Sequence, residues 1–192
     1  MKINIFGINV DNCSLDEIIK IIIDRAVAGV VPEYVVIPNN RHRIALSETG
    51  QNSLYEIELL ANLCAEAANR GLKVFFLGDS LSATQLATTT LQQQHPYLQI
   101  SFYCPTSGFE TDSIELATIT RTIKNASPHL LLVKTNTPKQ QQWLEANYQH
   151  LGVPVSLSIG ISFKLIAEVV RGTPMWVQQT GLEWLYYKLI NN

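Results

Sequence analysis

Short apolar runs alternate with helix-start signals along nearly the whole chain, and this alternation constrains the fold more than any other feature. Tyr34-Val35-Val36-Ile37 is stopped by Pro38, and Leu72-Lys73-Val74-Phe75-Phe76-Leu77 by Gly78. Leu98 to Tyr103, Leu130 to Val133 and Val155 to Ile159 follow the same plan, the last ending at Gly160. Continuous apolar runs of this length suit strands buried on both faces. Ser14-Leu15-Asp16-Glu17, Ser53-Leu54-Tyr55-Glu56 and Asp112-Ser113-Ile114-Glu115 have the spacing of capping boxes, and Thr137-Pro138 that of an N-cap followed by Pro at the first helical position. Helices are predicted from Ser14 to near Gly29, from Ser53 to Gly71, around Ala83 to Gln94, from Asp112 to near Lys124, and from Thr137 to near Gln149. Phe163 to Val170 and Pro174 to Ile190 are predicted helical as well, and Ile3 to Val10 reads as an extended segment turned at Gly7. Glu48 to Asn52 reads as a polar turn. Strands alternating with helices predict an α/β domain with a mostly parallel sheet covered on both faces. Right-handed crossovers place every strand-to-helix turn on one edge of that sheet, where ligands bind.

A chain of 192 residues is expected to form a single domain spanning 1–192. Its 46% hydrophobic content is ample for a core. A net charge of -2 gives no basic excess, so nucleic-acid binding is not supported. No run approaches the ~20 apolar residues of a membrane span, and the first residues lack a signal-peptide pattern. Cys13, Cys64 and Cys104 are odd in number and without ligand spacing, which reads as free thiols in a reducing cytoplasm.

The turns at the expected ligand edge supply the candidate residues. Asn39 and Asn40 end a strand; their amides suit sugar hydroxyl or acetamido groups, and they are equally ordinary turn residues. Asp79, next to Gly78, is either a base or ribose contact or a helix N-cap. Thr137-Pro138-Lys139-Gln140 opens a helix with amides and an ammonium suited to a diphosphate, or is a plain helix start. Neither the G-x-G-x-x-G nor the P-loop pattern is present. His95 and His150 read as surface residues, while His42, just after the Asn pair, can line a site. No serine or cysteine nucleophile is indicated. The aromatic stripe of Trp176, Trp184 and Tyr186 is either core or a partner surface.

The C-terminal third resembles the WecG/TagA/CpsF glycosyltransferase family. Pro138-Lys139-Gln140 with Trp143 is similar to its PKQExW, Gly160 with Phe163 to its VGGxFD, and Pro174 with Trp176 to its RAPxW. Gly181-Leu182-Glu183-Trp184-Leu185-Tyr186 is similar to its GLEWLY, the most specific block. Val35 to Asn39 resembles VVTPN, Val74 to Gly78 resembles VFLLGG, and Tyr97 to Ile100 with Gly108-Phe109 resembles YPxLxI and GYF. The resemblance implies a Rossmann-like domain that transfers N-acetylmannosamine or a related hexosamine from a UDP-sugar donor. The implied acceptor is an undecaprenyl-diphosphate-linked sugar, in cell-wall or exopolysaccharide synthesis at the cytoplasmic membrane face. It implies an inverting reaction, no cofactor and no metal. Asn39, Asn40, Gly78, Thr137, Lys139, Gln140 and Gly160 become the expected substrate-binding residues.

The chain also departs from the family pattern. The family's ADLVLPDG segment, with its proposed general-base Asp, has no counterpart between Asn39 and Ser53, so one strand-helix unit is expected to be missing. Asp79 and His42 remain as candidates for the base. The glycine-rich VGLG is Val133-Lys134-Thr135-Asn136, the Thr of VVTPN is Ile37, and the Asp of the FD pair is Lys164. An alternative expectation is a catalytically silent relative that serves as a binding or assembly module. Loss of a strand from a parallel sheet predicts a homo-oligomer or an unusually short sheet.

Overall fold

The computed structural model describes residues 2–5, 8–11, 14–29, 31–36 and 49–170, with side chains within 14–29, 31–35 and 55–170. The chain begins with a hairpin of β1 (Lys2–Ile5) and β2 (Ile8–Asp11), then α1 (Leu15–Ala28) and β3 (Glu33–Val36). Next come α2 (Thr49–Asn69), β4 (Lys73–Leu77), α3 (Leu81–Gln94) and β5 (Gln99–Tyr103). A 3-10 turn (Phe109–Thr111) leads to α4 (Ser113–Ala126), β6 (Leu130–Lys134), α5 (Pro138–Leu151), β7 (Val155–Ile159) and α6 (Phe163–Val170).

These strands form one sheet in the order β2-β1-β3-β7-β6-β4-β5. The five strands from β3 to β5 are mutually parallel. Helices cover both faces, which is the Rossmann-like arrangement. Alternation along β4 shows why its run of apolar residues is unbroken. Val74 and Phe76 enter a core with α1, α2, α3 and α6, while Phe75 and Leu77 enter a second core with α4 and α5. Among the described residues no strand lies between β3 and α2.

The sheet is not short, because seven strands exceed the usual mean of about five or six. Nor is the β3 side of the parallel strands left open: β1 lies antiparallel against it, with Asn4 opposite Val36 and Ile5 opposite Val35. That cover hides backbone groups that would otherwise template pairing with another chain.

Local signals hold at most helix ends. The Ser14–Glu17 capping box is complete, and Gly29 closes α1 in the left-handed conformation at φ 61°. Thr137 caps α5 by accepting from the Gln140 N–H at 3.3 Å, with Pro138 at the first helical position. Two boxes differ from expectation. α2 starts at Thr49, so Ser53 and Glu56 lie inside it and the expected polar turn is helical from Thr49 onward. Asp112 does cap α4, yet Glu115 does not complete the box, because its carboxylate accepts from Tyr103 Oη and the Thr106 N–H, each at 3.0 Å. Cys64, buried, and Cys104, half-buried, are free thiols, as expected; the side chain of Cys13 and the predicted helix at 174–190 lie outside the described residues.

Candidate functional site

The chain runs from β4 outward to β5 and then returns to place β6 on the other side of β4. The strand order therefore reverses between β4 and β6, and an open parallel sheet binds ligands in the crevice beyond the carboxyl ends at such a reversal. The turns there are Gly78-Asp79-Ser80 and Thr135-Asn136-Thr137, with Gly160 beyond the neighbouring β7. The structure thus brings Gly78, Asp79, Thr137, Lys139, Gln140 and Gly160 to one edge. Asn39, Asn40 and His42 follow β3 and lie outside the described residues.

Gly78 is buried where α3 presses on β4. A Cβ added there sits 2.0 Å from Thr84 Oγ1, so the position needs glycine. Thr84 is itself held by its hydroxyl, which donates to the Ser80 carbonyl at 2.7 Å and accepts from Cys104 Sγ at 3.4 Å. Burial raises the Cys104 thiol above its usual range.

Asp79 is not the N-cap of α3. Ser80 takes that role, accepting from the Ala83 N–H. Asp79 is instead exposed, and its carboxylate accepts from Asn136 Nδ2 at 2.6 Å. This bond ties the two turns together across the switch point.

The start of α5 offers less to an anion than its sequence promises. The Asn136 N–H donates to Gln140 Oε1 at 2.8 Å, the Gln140 N–H goes to Thr137 Oγ1, and Pro138 has no N–H. Within the described residues, the exposed Lys139 is the first-turn position whose N–H and ammonium face no such competitor.

Two functional candidates were not visible in the sequence. Lys134 closes β6 and is only 6% exposed; its ammonium donates to the Gly160 carbonyl. Glu56 of α2 is 5% exposed, and its Oε1 accepts from the Gly160 N–H at 2.5 Å. Two buried charged side chains thus grip one glycine. On the opposite face of the sheet, Thr135 and Ser158 hydroxyls bond at 2.7 Å. Among the described residues no group of His, Cys, Asp and Glu is arranged to hold a metal ion. Two open hollows, of about 560 Å³ over α4 at Thr120, Arg121 and Lys124 and about 550 Å³ at Gly71, His95 and Tyr97, lie away from this edge.

The model of the Glycosyl transferase WecG/TagA/CpsF family matches residues 43–191. The chain belongs to that family. A relative from Staphylococcus aureus (strain NCTC 8325 / PS 47) is 26% identical over 135 residues, covering 70% of this chain and 51% of the relative. One from Bacillus subtilis (strain 168) is 24% identical over 143 residues, covering 73% of this chain and 53% of the relative. Both are named N-acetylglucosaminyldiphosphoundecaprenol N-acetyl-beta-D-mannosaminyltransferase. The chain spans about half the length of the curated relatives it matches.

Proposed function

We propose that this chain is a diverged glycosyltransferase that takes a UDP-hexosamine donor, of the N-acetylmannosamine type, at the β4–β6 switch point. The acceptor is an undecaprenyl-diphosphate-linked sugar in cell-wall or exopolysaccharide synthesis. The observation that carries this reading is the convergence of Gly78, Asp79, Asn136, Lys139 and Gly160 at the one edge where such a sheet accepts a ligand, in a chain of this family. In the transfer, the acceptor hydroxyl oxygen attacks the anomeric carbon, the bond to the diphosphate breaks, and the hydroxyl proton passes to a base. Positioned acid-base help of that kind is worth ~10²–10⁴ in rate. Asp79 is the described candidate for the base, and His42 the other. Lys139 offsets the charge of the departing UDP. No cofactor or metal is required by this scheme.

Among the described residues no helix is long and apolar enough to cross a membrane. Independently of that, the family resemblance is what supports a cytoplasmic protein that meets its lipid-linked acceptor peripherally at the inner membrane face. A homo-oligomer remains part of the proposal. With β3 covered by β1, the edges available among the described strands are β2, which pairs only with β1, and β5, which pairs only with β4. Light scattering that gives a strict monomer argues against it.

A second reading, a binding or assembly module, is favoured by the Asn136–Asp79 bond, which occupies the candidate base. Calorimetric titration with UDP and UDP-N-acetylmannosamine, followed by a transfer assay, separates the two. Binding with turnover supports the enzyme, binding without turnover supports the module, and no binding removes the nucleotide. Lys139→Ala is expected to weaken UDP up to about fivefold, the scale of an exposed charge pair; unchanged affinity removes the role given to Lys139.

A further inference from the structure

We propose that Glu56 and Lys134 are positioning residues that fix the Gly160 turn as the floor of the ligand crevice; this rests on the nucleotide reading above. Lys134 and Ile159 form the last rung of the β6–β7 ladder. Gly160 is thus the first residue whose backbone groups lie beyond that ladder, and they cannot be left bare where the chain is half-buried. The chain meets this need with charged groups: the Glu56 carboxylate takes the N–H and the Lys134 ammonium takes the carbonyl. Both side chains are buried, and burying charge is costly unless strong hydrogen bonds offset it. Neutral side chains satisfy backbone groups at lower cost, as Ser80 and Thr137 do at the starts of α3 and α5. Charge-assisted bonds hold geometry more firmly than neutral ones.

The placement is specific. Glu56 reaches across 104 residues of sequence to this one turn. Lys134, the last residue of β6, sends its ammonium to the carbonyl of Gly160, 26 residues further along the chain. On the other side Thr135 anchors the same corner, its N–H donating to the Ile159 carbonyl at 3.0 Å. The Gly160 turn is therefore held from α2 and from β6 at once. A ligand at the β4–β6 crevice meets that turn already in place, which reduces the ordering cost of binding.

The test uses the full chain, with UDP as the probe, and compares wild type with E56A, E56Q and K134M. The expected result is at least tenfold weaker UDP binding by E56A and K134M, with hydrogen exchange of the Gly160 amide at least tenfold faster in E56A. E56Q keeps an acceptor oxygen for the Gly160 N–H and is expected within threefold of wild type. A merely structural role lowers the melting temperature but leaves the UDP affinity of the folded protein unchanged. UDP binding by folded E56A within twofold of wild type overturns the proposal, and K134M decides the same question should E56A not fold. If wild type itself fails to bind UDP, the nucleotide reading falls and takes this proposal with it. Binding by wild type with indifferent variants sinks the positioning role alone.

Discussion

The turn after β4 and the turn after β6 sit side by side at the switch point, yet they obey different constraints. Gly78 follows β4 under direct contact from α3, and Thr84 Oγ1 occupies the space a side chain needs. Lys134 closes β6 on the side facing α2 and α6, where Gly160 gives its ammonium a partner. Only the first of these two places leaves no room for a side chain. The lesson is that a glycine resists replacement where a helix presses on the backbone. Where a neighbouring element receives the side chain, as Gly160 receives that of Lys134, no such constraint holds.

The largest effect expected from breaking this contrast is at Gly78. Gly78→Ala drives a methyl into Thr84 and is expected to cost about 3 kcal/mol, the upper end of the overpacking range. Chemical denaturation measures it, and adding Thr84→Ala is expected to recover part of the loss; a neutral Gly78→Ala contradicts the packing argument. Next is Lys134→Gly, which removes the side chain altogether. It is expected to destabilise by about 2 kcal/mol, because the Gly160 carbonyl loses a charged donor and the strand end gains flexibility. A stabilising outcome contradicts the role given to the Lys134–Gly160 bond.

The smallest effect lies far from the crevice, at the start of α1. The Ser14 bonds hold the Glu17 carboxyl below the ordinary carboxyl value of 4.5, first through the backbone N–H and then through the hydroxyl. A carboxyl depressed by folding stabilises above its unfolded pKa, and that help is lost as pH falls through the folded value. Glu17→Gln is therefore expected to flatten slightly the pH dependence of melting on the acid side of 4.5 and leave it unchanged at neutral pH. Thiol labelling gives a further check. Burial pushes the Cys64 thiol up to about 12, so it reacts only on unfolding, whereas half-buried Cys104 reacts slowly in the native state.

Much of the fold was legible because both faces of the parallel strands are buried. Phe75 and Phe76 point to opposite cores, so the apolar run at β4 could only be a covered strand. Ser14 and Glu17 were equally readable, since a capping box is completed within a few residues. Glu56 was not. Its spacing from Ser53 imitates a helix start, while the bond that defines it goes to Gly160 on another element. Lys134 follows the apolar run Leu130 to Val133 directly, and nothing in the local pattern says that its charged side chain is buried. The Asn136–Asp79 bond likewise joins turns 57 residues apart, which local pattern does not report. What the sequence conveyed poorly was therefore the polar wiring between elements, where long-range packing chooses the partners.

The most direct measurement is a titration of isotope-labelled protein with UDP, followed amide by amide. The account predicts that Gly78, Asp79, Asn136, Lys139 and Gly160 shift together, while Gly71 and Tyr97 at the opposite edge and Thr120 and Arg121 on α4 stay fixed. Shifts concentrated at either of those two distant hollows, or none anywhere at millimolar nucleotide, contradict it.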